Sequence, residues 1–541
     1  MSDVFGAPVD PLDGPAFALG GRVVTMDDGK HVVDQGVVYV KGGMIAAVQK
    51  ASAPPPAGFE DVVVADTNGT IYPGLIDLHD HLSYNALQLW DVPKRYTNRD
   101  QWAKGDTYRK LVTGPMKVLA HTPKYVPAIV RYVECKCLVG GTTTSQGIAL
   151  SSFSGIQRFY KGIVRNVEQT DEPELPEAST HIADVEAKDR EKFLKRLNSL
   201  HCLLLHLSEG TDDAAREHFL ALKGPDGDWA VTKSLVGIHC VALQKKDFDV
   251  LAEAGAAMVW SPLSNLLLYG ETADVAEARK AGVLTALGPD WSPSGSKNLL
   301  GELKVARLVD RTNGSALSDY DLLALATRNP AQILGWDKGV GTVETGKRAD
   351  LLVVSGDSGD AHAHLFTSGE HDVELVVVNG VPRYGASRLM RKLLGEAAAK
   401  GEAGSAGGRA RLFYLEQASG DPDVGDLTLK EASDLLADGL HRLPDLAKDM
   451  VEHPTLDPDA TFLVLDHEED EGLEQRPHLP GPSGELTAML DSAGASTPLE
   501  DLLVPLTLDP LTVADDSRFV DTLAKEQNLP KEVADHVPDL F

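Results

Sequence analysis

The chain has 541 residues, 43% hydrophobic and 24% charged, which suits a soluble globular protein of two or three domains rather than one core. A formal net charge of -30 argues against nucleic acid or an anionic membrane as a partner. No basic segment followed by an apolar one opens the chain, and no stretch reaches the roughly 18 apolar residues of a membrane span, so a cytoplasmic protein is expected.

Short strands punctuated by turns run through residues 17 to 70, in "GRVVTMDD", "QGVVYVKGGMIAAV" and "EDVVVADTNG". The same pattern returns at 341 to 385 as "GTVETGKRADLLVVSG" and "HDVELVVVNGVPRYG". Between them, helical patterns alternate with apolar runs over some 250 residues, which points to a parallel α/β barrel. Strands are expected near 75–81, 142–146, 163–167, 203–207, 236–240, 257–261 and 284–288, with the missing fourth strand at "THIADV", residues 180–185. The expected class is therefore α/β: a (β/α)8 TIM-like barrel, a small β-sandwich built from both flanks, and an acidic C-terminal extension. In residue terms, 1–70 and 341–388 form the sandwich, 71–340 the barrel, 389–410 a flexible linker, and 411–541 an accessory segment. About thirty Asp and Glu against about nine Lys and Arg lie in the last 141 residues. Within them "TLKEASDLLADGLHRL" reads as an amphipathic helix with a capping box from Thr428 to Glu431. Cys135, Cys137, Cys202 and Cys240 sit in apolar segments and read as buried free thiols.

The stretch "GLIDLHDHLSYN" places His79 and His81 two residues apart, on one face of a strand, with Asp80 pointing away. Spacing alone is weak, because "DAHAHLF" repeats it at His362 and His364 in a loop without further ligand candidates. Company distinguishes the first pair. His206 ends "LLLH", His239 ends "LVGIH" and Asp290 ends "LTALGPD", and in a parallel barrel all such strand ends meet at one mouth. Three or four imidazoles with one carboxylate suit zinc or another borderline divalent ion, whose water has its pKa lowered to about 7. The site reads as hydrolytic. Glu209, three residues beyond His206, can carry a proton from that water to a leaving nitrogen.

Taken in order, "PGLIDLHDHL", "GGTTTSQG", "HLSE", "GIH", "SPLSN" and "LGPD" resemble the amidohydrolase superfamily, and "HLSE" with "SPLSN" resembles its deaminase and triazine-hydrolase branch. "GKRADLLVV" and "VVVNG" resemble the small β-domain of that family. The resemblance spans roughly residues 18 to 385. It implies that His79, His81, His206 and Asp290 bind one divalent ion, zinc with iron as the alternative. It also implies that His239 orients the water or polarises the substrate, that Asp290 is a base toward the water, and that Glu209 is the proton shuttle. No lysine for carboxylation can be placed on a fourth strand, which favours one ion over two. Two departures leave the ligands intact: the usual "GTD" is "GPD" here, and the cysteine often seen before "PxSN" is Ser261.

Candidate substrate contacts are Trp90, Ser264, Asn265 and Ser292, with an aromatic wall or lid built from Tyr84, Trp90, Tyr96, Trp102 and Tyr108. The expected activity is hydrolytic deamination of a small heterocyclic amine. Ring opening of a cyclic amide is the alternative, and a non-catalytic binding protein on the same fold is the rival class. Self-association into a homo-oligomer is left open.

Overall fold

The computed structural model describes residues 16–103, 105–152, 157–418, 420–452, 460–465 and 497–541. Parallel strands recur through its middle. Leu75–Ile76, Thr142–Ser145 and Arg165–Asn166 form one sheet; Ala178–His181, Cys202–Leu207, Leu235–His239, Ala257–Trp260 and Leu284–Leu287 form a second. At one seam between them the Ala178 N–H donates to Val167 O at 2.8 Å. At the other, Asp80 and Asp290 form an isolated parallel bridge. The eight strands thus follow one another in the order of a TIM-like barrel, as two sheets among the described residues rather than one continuous ladder. Helices Val126–Val139, Arg190–Leu197, Lys245–Ala254 and Val275–Ala281 precede strands, as the alternating pattern predicts. The fourth strand is Ala178–His181, two residues earlier than expected.

Apolar runs such as "CLLLHL" are continuous because both faces of a parallel strand are covered. Leu204, Val236, Ile238, Val259 and Ala286 share one buried cluster, while Leu203, Leu205 and Leu207 belong to the larger cluster that includes the helices. One difference bears on the site. The expected strand 75–81 is regular only over Leu75–Ile76. Beyond it the backbone N–H of His79 is taken by Asp77 Oδ1 at 3.0 Å, and that of Asp80 by Gln146 Oε1 at 3.0 Å. Side-chain acceptors replace the ladder there and leave the segment irregular.

The two flanks do combine, and their strands are joined in one hydrogen-bonded sheet of nine. Val64–Pro73 pairs antiparallel with Leu351–Ser355 and joins the N-terminal strands to the later ones. Helix Ser387–Leu394 contributes Leu389, Met390, Leu393 and Leu394 to one buried cluster with Val38, Ile71, Leu351 and Val377 of this sheet. The expected linker 389–410 is therefore ordered: most of that helix, a 3-10 turn, strand Glu402–Ala406 and the start of strand Arg409–Phe413, the last two completing the sheet. Its Ala- and Gly-rich composition resembles a flexible chain, yet the hairpin pairs with strand Val381–Ala386.

Helix Leu429–His441 has the expected capping box. "FLVLD" is described as far as Leu465, and 466–496 lie outside the described residues, as does the opening "MSDVFGAPVDPLDG". Residues 497–541 pack on the barrel. Leu499, Leu503, Val513, Phe519 and Leu523 join the main core cluster, and Asp509 reaches the deepest. Its carboxylate meets Lys136 Nζ and Lys297 Nζ, all three side chains being about 1% exposed, and its N–H donates to Ala86 O. None of the described helices is long and apolar enough to cross a membrane.

Removing one partner of a buried ion pair leaves an uncompensated charge. Asp509→Asn is expected to destabilise the protein by about 3–5 kcal/mol, read as lower stability in chemical unfolding. Unchanged stability would contradict the buried pairing.

Candidate metal centre and active site

The seam between the first and last strands builds the centre. Asp290 N–H donates to His79 O at 3.0 Å and His81 N–H donates to Asp290 O at 2.6 Å. Gly288 permits this approach, because a Cβ there would stand 2.6 Å from His79 O. Asp290 Oδ1 then lies 3.0 Å from His79 Nε2 and 3.3 Å from His81 Nε2. The His206 ring centre is 4.8 Å from that of His79 and 5.3 Å from that of His81. His239 closes the group at 5.0 Å from His79 and 5.3 Å from His206. The five residues singled out by their strand-end positions are thus brought together.

Several are held in strained backbone. His239 has φ 66°, Asp290 φ 71° and Ser208 φ 53°, in the left-handed region that non-glycine residues rarely occupy. Ile238 belongs to the interior cluster, so strict alternation would aim His239 outward. Its left-handed turn accompanies a break in that alternation, and the ring joins the other imidazoles.

Ligand chemistry fits a divalent cation. His79, His81 and His206 offer ligand atoms within 4.8 Å of one another, as do His79, His239 and Asp290. His206 Nδ1 is buried with no hydrogen-bond partner among the described residues. Burial opposes ionisation of Asp290, yet His79, His81 and His239 outweigh it and hold the carboxyl well below the usual carboxylate range. Burial pushes the His79, His206 and His239 pKa values down, that of His239 to about 4, so these rings keep free lone pairs at neutral pH. His79 is oriented by Gln146, whose Oε1 lies 3.1 Å from His79 Nδ1.

Glu209 is buried beside the cluster, its Oε2 3.9 Å from His239 Nε2 and 3.9 Å from Arg99 Nη1. Burial raises its pKa, with Arg99 opposing, which suits a group that takes up and releases protons. Above the centre, Trp291 collects the aromatic side chains. Its ring centre is 5.3 Å from His81, 5.2 Å from Tyr84, 6.0 Å from Tyr108 and 6.3 Å from Trp102. A cavity of about 560 Å³ opens beside His81 and is lined in part by Gln146, Glu168, Thr180 and His181.

The four expected substrate contacts are arranged otherwise. Ser264 Oγ donates to Asp290 Oδ2 at 2.6 Å, and Asn265 Nδ2 lies 3.0 Å from His239 Nδ1. Ser292 Oγ accepts from Lys136 Nζ at 2.6 Å, and Trp90 packs between Tyr96 and Tyr108. All four are buried and none lines the cavity, because hydrogen bonds and packing behind the site already engage them. Residues not singled out from sequence are Gln146, His181, Arg99 and Tyr269. Gln146 lies in the quoted "TTTSQG", and its position just past a barrel strand was the available signal. His362 and His364 go elsewhere: His364 Nε2 meets Ser355 O at 2.9 Å and the His362 ring lies against Tyr320.

The family model for the amidohydrolase family matches residues 70–383, more than half of the chain. The chain belongs to the amidohydrolase family. A curated relative, 5-methylthioadenosine/S-adenosylhomocysteine deaminase of Moorella thermoacetica, is 25% identical over 395 residues, 64% of this chain and 90% of its own length. The 5'-deoxyadenosine deaminase of Methanothermobacter thermautotrophicus is 24% identical over 352 residues, covering 60% and 81%. Among solved structures, the atrazine chlorohydrolase of Arthrobacter aurescens TC1 complexed with zinc aligns at a TM-score of 0.53 and 22% identity, over 68% of this chain and 94% of that one. Guanine deaminase from Bradyrhizobium japonicum aligns at 0.52 and 19%, over 68% and 99%. These likenesses agree with a TIM-barrel-like fold for the amidohydrolase.

His206→Ala with Asp290→Ala is expected to strip the purified protein of divalent metal, measured by elemental analysis, while the fold persists by circular dichroism. Wild-type metal content in this double variant would contradict the assigned centre.

Proposed function

We propose that this amidohydrolase holds one zinc ion with His79, His81, His206 and Asp290 and hydrolytically deaminates a small heterocyclic amine. A divalent ion bound there supplies hydroxide at neutral pH by lowering the pKa of its water to about 7. The observation that carries the reading is the approach of Glu209 Oε2 to within 3.9 Å of His239 Nε2 beside the imidazole cluster. An amine leaves poorly unless it is protonated, and Glu209, with its raised pKa, takes the proton of the attacking water and delivers it to the leaving nitrogen. His239 stands where its Nε2 can hydrogen-bond the attacking oxygen or the ring nitrogen of the substrate. Asp290, kept ionised by its imidazole neighbours, takes the second proton of that water as the carbonyl forms and gives it up to the ring nitrogen, so that both protons are accounted for.

The curated relatives are named for adenosine-type substrates, which puts adenine nucleosides with 5' substituents at the head of a substrate panel, followed by guanine and aminotriazines. The cavity beside His81, about 560 Å³ and polar along Gln146, Glu168 and Thr180, is where such a molecule enters. Trp291, Trp102 and Tyr108 cover the centre and limit water to what the reaction uses.

The zinc-loaded protein is expected to release ammonia from at least one panel member. Glu209→Gln should retain zinc but lose at least about a hundredfold in turnover. Ring opening of a cyclic amide without ammonia, or unchanged turnover in Glu209→Gln, would overturn deamination or the role of Glu209 respectively.

A further inference from the structure

One buried helix, Pro262–Tyr269, touches each of the three residues that handle protons. Ser264 donates to Asp290 Oδ2, Asn265 Nδ2 lies 3.0 Å from His239 Nδ1, and Tyr269 Oη donates to Glu209 Oε1 at 2.7 Å. Asn265 and Tyr269 stand one helical turn apart on one face. All three side chains are fully buried, and the contacts are directional.

The Asn265 contact fixes more than position. Trp260 Nε1–H donates to Thr272 Oγ1 at 2.7 Å, so the hydroxyl uses its oxygen as acceptor there and its own proton is free. That proton goes to Asn265 Oδ1 at 3.1 Å. With the amide placed to receive that proton, Oδ1 faces Thr272 and the NH2 group faces His239. An amide NH2 can only donate, so His239 Nδ1 must accept and the proton of the neutral ring sits on Nε2, facing Glu209. A protonated Nε2 has no lone pair for a cation but can donate to an oxygen or a ring nitrogen. The second chain runs in parallel. Trp102 Nε1–H donates to Tyr269 Oη at 2.8 Å, and Tyr269 gives its proton to Glu209 Oε1. Oε1 is thereby engaged, and Oε2 is the oxygen that lies 3.9 Å from both His239 Nε2 and Arg99 Nη1.

We propose that Asn265 and Tyr269 are positioning residues, Asn265 holding His239 in its Nε2–H tautomer as a hydrogen-bond donor rather than a metal ligand, and Tyr269 presenting Glu209 through Oε2. The inference deepens the deaminase reading and rests on it for its effect on turnover, whereas the tautomer itself is a property of the resting protein. Thr272 and Trp260 are the outer members of the first chain, and Trp102 ties the second to the aromatic segment over the centre.

The test uses full-length zinc-loaded protein with 15N-labelled histidine, the His239 signals being assigned by their loss in His239→Gln. Wild type should show an unprotonated Nδ1 and a protonated Nε2 at His239. Asn265→Asp replaces the donor with a carboxylate acceptor, and should move the proton to Nδ1. With wild-type zinc content, it should lower kcat at least about a hundredfold and leave KM within about threefold. Tyr269→Phe removes only the hydroxyl and should lower kcat about tenfold or more with the His239 signals unmoved. If Asn265→Asp does not fold, Thr272→Val, which frees the amide to turn over, should give a mixture of both tautomers. A protonated Nδ1 in wild type, or an unmoved proton in both Asn265→Asp and Thr272→Val, overturns the relay even if the enzyme deaminates. Wild-type kcat in Tyr269→Phe overturns the role of Tyr269. Correct tautomers in a protein that releases no ammonia would leave the relay standing and remove the deaminase reading.

Discussion

Asp290 is a carboxylate buried among imidazoles at the seam where the last barrel strand returns to the first. An isolated buried carboxylate is unfavourable by several kcal/mol, and the surroundings answer that cost from three directions. His79 and His81 face Oδ1, and Ser264 donates to Oδ2. Backbone hydrogen bonds to His79 and His81 fix the register. Because the same backbone pairing that joins the strands sets the ligand spacing, the fold and the centre are one constraint. The barrel seam thus holds a fixed charge with little freedom to relax.

Around that carboxylate the molecule is layered. Imidazoles and Glu209 form the inner layer, the helix Pro262–Tyr269 stands behind them, and the aromatic segment from Tyr84 to Tyr108 lies over them with Trp291. Residues 497–541 brace the side carrying Ser292. Lys136 bonds Ser292 Oγ, Asn85 O and Asp509, while Asn85 Oδ1 accepts from Ser292 N–H. The acidic extension therefore contributes a charge to the support of the loop that follows Asp290, although it lies beyond the segment matched by the family model. Asn528 adds a second anchor by donating to Leu267 O in the helix Pro262–Tyr269.

Much of this was legible in the chain itself. Apolar runs closing on His206, His239 and Asp290 mark strand ends, and a parallel barrel converts such ends into neighbours. What sequence could not give was direction within the mouth. His239 departs from alternation through a left-handed turn that nothing in "LVGIHC" announces. His79 and His81 sit beyond the regular strand, in a segment whose backbone and His79 ring are held by Asp77 and Gln146 rather than by strand pairing on that side. Ser264 and Asn265 illustrate the limit most plainly. Polar residues near a site read equally well from sequence as substrate contacts or as supports, and in the structure these two have Asp290 and His239 as partners. The fourth strand was weak because only four residues of "EASTHIA" pair, and the segment 389–410 was misread because alanine and glycine describe composition, not pairing.

The most direct measurement of the central claim is anomalous X-ray scattering from crystals of the zinc-loaded protein, recorded on either side of the zinc absorption edge. The account predicts one peak per chain, about 2.0–2.2 Å from nitrogens of His79, His81 and His206 and from an oxygen of Asp290, with His239 outside bonding distance. A peak bonded to His239, a second peak beside the first, or no peak at the seam would contradict it.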